Sequence, residues 1–278
     1  MSTQARAGGF LKRCSLVLLR VVIAYALFLT AVYIFQRHLL HHPHTYDHAT
    51  LIRNVQVDGG ALWPSDTAYR GILFATPNPD ARGTILLFHG NAGSALDRGY
   101  YVRQLLPLGF RLILLEYPGY GNRAGELDED SLATDGASAL RLAAEQFGPP
   151  LYVFGESLGG GVAAAAYARA RIPVAGIVLL TPWDTLGNVA QALYWFLPAK
   201  YLAKDAYDSV TNLNGFAGPL AILQAGNDDL VPSASTQTLF DSFAGKKRLW
   251  RLDGATHNTW YQFADRQFWT HLGTYLTE

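Results

Sequence analysis

Leu151-Tyr152-Val153-Phe154-Gly155-Glu156-Ser157-Leu158-Gly159-Gly160-Gly161 is the stretch whose reading decides the fold. An apolar run with strand character ends in Gly-Glu-Ser-Leu-Gly. The alanine-rich Val162-Ala163-Ala164-Ala165-Ala166-Tyr167-Ala168 follows at once and reads as helix. Strand, Gly-x-Ser-x-Gly and helix together predict a nucleophile elbow, a turn so tight that neighbouring positions must lack side chains. Gly155 and Gly159 meet that need, and Gly160 and Gly161 let the helix lie close to its strand. Ser157 is then expected at the tip of the turn, at a helix N-terminus that favours developing negative charge. The bland reading of the same residues is a glycine-rich turn without chemistry.

Outward from this stretch the chain alternates strand and helix. A continuous apolar run at residues 84–88 reads as a strand buried on both faces, and further strands are read at 111–116, 151–154, 174–180 and 220–224, with a last one at 247–252. Helical stretches are predicted around 97–106, 127–147 and 262–276, and short edge strands at 55–57 and 71–75. This rhythm implies a mostly parallel sheet flanked by helices, with ligands at the carboxyl ends of the strands. Between residues 183 and 217 lies an insertion carrying Trp183, Tyr194, Trp195, Phe196, Tyr201, Tyr207 and Phe216, expected to form a small helical cap over an acyl pocket.

A serine hydroxyl needs a base to take its proton and a third group to orient that base. His257, in Ala255-Thr256-His257-Asn258, follows the last strand and precedes the last helix, so it can reach a strand-end site. His271 lies within the helical run and is the weaker candidate. The acid should fall between serine and histidine. Asp228 in Asn227-Asp228-Asp229-Leu230-Val231-Pro232 has the right register, with Asp229 and Asp184 as alternatives. Two donors must face the oxygen of a tetrahedral intermediate. The backbone N–H groups of Leu158 and Asn91 are the candidates, the second from His89-Gly90-Asn91-Ala92-Gly93. His89 itself reads as structural.

The N-terminal part is of another kind. Residues 16–36 are almost wholly apolar, about the twenty residues needed to cross a bilayer. Arg6, Lys12, Arg13 and Arg20 precede or open this run, and no acidic residue occurs before Asp47, which predicts a cytoplasmic segment 1–15 and an exported catalytic domain. Ala24-Tyr25-Ala26 could mark a signal-peptide cleavage site, but the apolar run continues well past it, which favours an uncleaved anchor. Residues 37–54, with His38, His41, His42, His44 and His48, are expected to be a juxtamembrane linker, and residues 55–278 the catalytic domain. Charged residues are 16% of the chain against roughly 25% in an average soluble protein, as a two-sided core plus an anchor requires. The formal net charge of zero gives no reason to expect a nucleic-acid partner. Cys14 is the only cysteine, so no intramolecular disulfide can hold the fold.

Leu87-Phe88-His89-Gly90-Asn91-Ala92-Gly93, Glu116-Tyr117-Pro118-Gly119-Tyr120-Gly121, Gly155-Glu156-Ser157-Leu158-Gly159-Gly160, Asp228-Asp229-Leu230-Val231-Pro232 and Thr256-His257-Asn258-Thr259-Trp260 occur in that order. Together they resemble the α/β-hydrolase superfamily, and within it the serine-aminopeptidase-like branch that includes single-pass membrane-anchored α/β-hydrolase-domain proteins. The resemblance spans roughly residues 55 to 275. It implies the α/β-hydrolase fold, hydrolysis of an ester, thioester or amide by Ser157, His257 and Asp228, and no metal or organic cofactor. The branch often carries an acidic residue after the His-Asn pair, where this chain has Thr259. A small-molecule or lipid-like acyl substrate, attachment to a membrane and a monomer are the matching expectations. A non-catalytic protein of the same fold, and acyl transfer or peptide cleavage by the same triad, are the competing ones.

Overall fold

The computed structural model describes residues 3–76 and 81–278. Two compact units are present, residues 1–40 and 41–278. The first is a single helix, α1 (Thr3–Leu40). Its stretch Arg13–Leu40 has a mean hydropathy of 2.3, so it is long and apolar enough to cross a membrane. The first two residues of the expected cytoplasmic segment 1–15 lie outside the described residues.

The second unit begins where a linker is expected and is folded from its first residues. It opens with β1 (His42–Pro43) and α2 (His48–Val57), followed by β2 (Ala61–Trp63), β3 (Gly71–Phe74), β4 (Thr84–Phe88) and β5 (Ala92–Gly93). Next come α3 (Gly99–Leu105), β6 (Arg111–Leu115), α4 (Glu129–Phe147), β7 (Leu151–Glu156), α5 (Leu158–Ala170) and β8 (Gly176–Leu180). The insertion forms α6 (Leu186–Leu193), α7 (Ala199–Leu202) and α8 (Ser209–Asn212). The chain ends with β9 (Leu220–Ala225), α9 (Ser233–Ser242), β10 (Lys247–Leu252), α10 (Trp260–Phe263) and α11 (Arg266–Thr277).

Among the described residues, one eight-stranded sheet has the order β2-β3-β6-β4-β7-β8-β9-β10. From β6 to β10 every pairing is parallel, while β3 is antiparallel to both β2 and β6. The burial of β4 explains its central place. Ile85, Leu86, Leu87 and Phe88 are buried almost completely, and each such side chain contributes roughly 1.5–3 kcal/mol when removed from water. Only the middle of a sheet covered on both faces accommodates four in succession.

Two expectations are corrected at the start of this unit. Residues 55–57, read as an edge strand, are the last turn of α2. Asp47 caps that helix by accepting the Thr50 N–H at 2.9 Å, and Leu51 and Val55, four apart, form its buried face. The cap and the helical spacing outweigh the alternation of Val55-Gln56-Val57. The outermost strand is instead β2, paired to β3. Residues 37–54 are likewise not a linker: α1 runs to Leu40, β1 pairs with β5, and α2 packs on the sheet.

The insertion is fastened to the rest of the domain in its C-terminal half. Glu129, in the first turn of α4, accepts the N–H groups of Ala206 and Tyr207 at 2.7 and 3.0 Å. Its aromatic residues divide into two sets. Trp183, Tyr207 and Phe216 are buried in the domain, whereas Tyr194, Trp195, Phe196 and Tyr201 face outward.

Candidate active site

The elbow is built by steric exclusion. Ser157 joins β7 to α5 with φ 52° and ψ −119°, a conformation that costs a non-glycine residue on the order of 1–3 kcal/mol. The surroundings impose it. A Cβ on Gly155 would lie 2.6 Å from the Gly159 carbonyl oxygen, and one on Gly159 would run into the carbonyl oxygens of Phe88 and His89. The Ser157 N–H is held by the Leu180 carbonyl at 2.8 Å. Strand, turn and helix are therefore in contact by backbone, and the serine side chain is left pointing away from the sheet.

Two loops deliver the partners. The β9–α9 loop carries Asp228 and the β10–α10 loop carries His257. His257 Nε2 stands 2.8 Å from Ser157 Oγ, and its Nδ1 lies 3.0 and 2.9 Å from the two Asp228 carboxylate oxygens. Both side chains are secluded, 7% and 3% exposed. The ionised Asp228 can only accept, so Nδ1 carries the proton and Nε2 is free to accept the serine hydroxyl proton. Asp228 is itself oriented by the N–H groups of Leu230 and Val231, at 3.0 and 2.8 Å from its Oδ1. Asp229 is exposed, and among the described residues its carboxylate approaches the His257 N–H, at 3.4 Å. Asp184 is buried but engaged by the Ser235 hydroxyl and by Asn188 Nδ2, at 2.6 Å for the latter. His271 is exposed on α11. The structure thus brings Ser157, His257 and Asp228 together and leaves the alternatives apart.

Leu158 is the first residue of α5, so its N–H is among the four that a helix leaves without an intrahelical partner. The His89–Gly93 loop lies beside it: a Cβ on Gly90 would be 3.8 Å from Ser157 Cβ. This loop has supports that the sequence did not disclose. His89 and Glu116 are fully buried and pair at 3.1 Å between Nε2 and Oε1. His89 Nδ1 donates to the Gly90 carbonyl at 2.7 Å. The hydroxyls of Tyr117 and Tyr120 donate to the carbonyls of His89 and Asn91, each at 2.7 Å. Burial holds both phenols well above their ordinary pKa, and the Glu116 charge adds to this at Tyr120, so they remain donors. Arg98 donates to the Ala92 carbonyl at 2.8 Å. The Glu116-Tyr117-Pro118-Gly119-Tyr120-Gly121 motif was the available signal, but nothing in it says that its glutamate meets His89.

A family model describing the alpha/beta hydrolase fold matches residues 83–216. An uncharacterized protein of Mycobacterium tuberculosis is 31% identical over 197 residues, which cover 70% of this chain and 69% of that one. The chain belongs to the α/β-hydrolase superfamily. Lysophosphatidylserine lipase ABHD12 of Danio rerio is similar to this hydrolase-fold chain at 29% identity, over 59% of this chain and 48% of the relative, so the match spans about half of that protein. Among solved structures, Est1E from Butyrivibrio proteoclasticus with bound ferulic acid superimposes with a TM-score of 0.62 at 14% identity, covering 74% of this chain and 94% of that one. A monoacylglycerol lipase from Paleococcus ferrophilus gives 0.57 at 19% identity, over 75% and 98%. At such identities the two superpositions speak for the α/β-hydrolase fold alone.

Proposed function

We propose that this α/β-hydrolase is a membrane-anchored serine hydrolase that cleaves acyl esters or thioesters of lipid-like character. The observation that carries the reading is the unbroken chain from Ser157 Oγ through His257 to Asp228, with contacts of 2.8 and 2.9 Å at the end of the central strand β7. In the proposed mechanism His257 Nε2 takes the serine proton as Oγ attacks the acyl carbonyl. Asp228 stabilises the imidazolium so formed. The N–H groups of Leu158 and Asn91 receive the oxyanion. His257 then protonates the leaving group, and water, activated by the same histidine, releases the acid from the acyl-enzyme.

The lipid-like substrate is supported by two features. Relatives of this chain carry lipase names, and the cap turns Trp195 and Tyr201 outward, 80% and 85% exposed. Aromatic rings left in water at that extent suit an apolar or interfacial ligand. Residues 16–36 are proposed as the span, with residues 1–15 cytoplasmic, the catalytic unit exported and the chain acting as a monomer.

Incubating the detergent-solubilised full chain with a fluorophosphonate probe, and with p-nitrophenyl esters of increasing chain length, tests the reaction class. Covalent labelling and ester turnover are expected; an unlabelled, inactive protein that is folded would overturn the proposal. The cap adds a narrower expectation. Trp195→Ser with Tyr201→Ser should raise KM severalfold for long-chain or micellar esters while leaving kcat for a soluble butyrate ester within about twofold, since polar residues replace only apolar contact area. Equal losses on both substrates would exclude a substrate-binding role for the two rings.

A further inference from the structure

We infer that the segment immediately following the apolar helix, residues 41–46, is a positioning strap for the oxyanion loop, so that the anchor's own exit sequence forms part of the catalytic apparatus. The inference rests on the proposed role of the Asn91 N–H as an oxyanion donor. Its basis is where the carbonyls of that loop go. Five in succession, from His89 to Gly93, each accept a hydrogen bond. Tyr117, His89 and Arg98 hold those of His89, Gly90 and Ala92. The other two depend on the strap. The His42 N–H donates to the Asn91 carbonyl at 2.9 Å, and the His44 N–H to the Gly93 carbonyl at 2.8 Å. The paired strands β1 and β5 are the result, in parallel register with His42 opposite Ala92 and Pro43 opposite Gly93.

The strap is also fixed on its other side. The Tyr46 N–H donates to the Gly121 carbonyl at 2.9 Å, and the Gly121 N–H to the His44 carbonyl at 2.8 Å. The Tyr120 hydroxyl receives the His41 Nδ1 proton at 3.0 Å and passes its own to the Asn91 carbonyl at 2.7 Å. The Asn91 carbonyl is therefore gripped twice, once by a strap N–H and once by a phenol that the strap orients.

Peptide geometry turns this grip into catalysis. In a trans peptide the C=O and N–H point in opposite directions. Holding the Gly90 carbonyl inward directs the Asn91 N–H outward, and holding the Asn91 carbonyl fixes the peptide plane that follows. A donor that drifts by about 1 Å loses much of its stabilisation of the transition state while barely affecting substrate binding. The side chains of His42 and His44 are exposed, so their backbone N–H groups, not their imidazoles, do the positioning.

The test uses the full chain in detergent, with kcat and KM for p-nitrophenyl butyrate and the inhibition constant of an alkyl boronic acid, which forms a tetrahedral adduct on serine. His42→Pro removes one N–H. It is expected to lower kcat about tenfold or more, to leave KM within about twofold, and to weaken the boronate by the factor lost in kcat/KM. His42→Ala keeps the N–H and should rescue all three values. His44→Pro and Tyr120→Phe carry the same readouts, should His42→Pro not fold. A folded His42→Pro or His44→Pro enzyme with wild-type kcat and boronate affinity overturns the strap. So does a loss that His42→Ala reproduces. A wild-type chain that neither hydrolyses esters nor reacts with a fluorophosphonate overturns the hydrolase reading instead, which keeps the two failures distinct.

Discussion

Replacing Ser157 by alanine should reduce ester turnover by a factor on the order of 10⁴ to 10⁶ and abolish fluorophosphonate labelling. The loss is this large because the hydroxyl that is removed is the partner of His257 Nε2, at 2.8 Å. Stability should respond in the opposite sense to a second variant. Alanine keeps a Cβ at φ 52°, so the backbone strain persists, whereas Ser157→Gly relieves it. A thermal midpoint for Ser157→Gly at or above that of Ser157→Ala, with both equally inactive, would show that the elbow is held in a costly conformation for the sake of its hydroxyl. Residual turnover within tenfold of wild type in either variant would remove Ser157 from the mechanism.

Asp228→Asn is expected to cost about 10⁴ in kcat with little change in folding. The asparagine oxygen can still accept the N–H groups of Leu230 and Val231 that hold Asp228 Oδ1 at 3.0 and 2.8 Å. Its amide nitrogen, however, would face His257 Nδ1. That nitrogen must then accept, the ring proton moves to Nε2, and Nε2 can no longer take a proton from serine. Asp229→Asn is the matched comparison. Asp229 is exposed and reaches a backbone N–H at 3.4 Å, so its change should be within a few fold. Steady-state kinetics on the two variants decide between the neighbours, and a larger loss at Asp229 would reverse the assignment.

Much of the fold is legible in the sequence because its strands are buried on both faces. Residues 84–88 and 151–154 are continuous apolar runs, and these become β4 and β7 in the middle of the sheet. The meeting of Ser157, Asp228 and His257 is legible for a related reason: each sits in the loop just past a strand of the parallel sheet, which gathers its strand ends. Residues 41–57 were opaque because their structure is decided elsewhere. Histidines and a proline near an apolar helix carry no local sign that a loop fifty residues onward will pair with them. The Glu116–His89 contact was hidden likewise, since two polar residues inside separate motifs become partners only when β6 and β4 lie side by side.

The early onset of backbone pairing in the folded unit bears on how the chain meets a protease. A site-specific protease binds its target as an extended, unpaired stretch. Here α1 ends at Leu40 and the His42 N–H is already hydrogen-bonded. A cut within residues 41–46 would require that stretch to peel away first, releasing the Asn91 and Gly93 carbonyls in the same step. Limited proteolysis of the folded chain should therefore spare residues 41–46, and a shortened chain that lacks the apolar helix should retain everything from His41 onward.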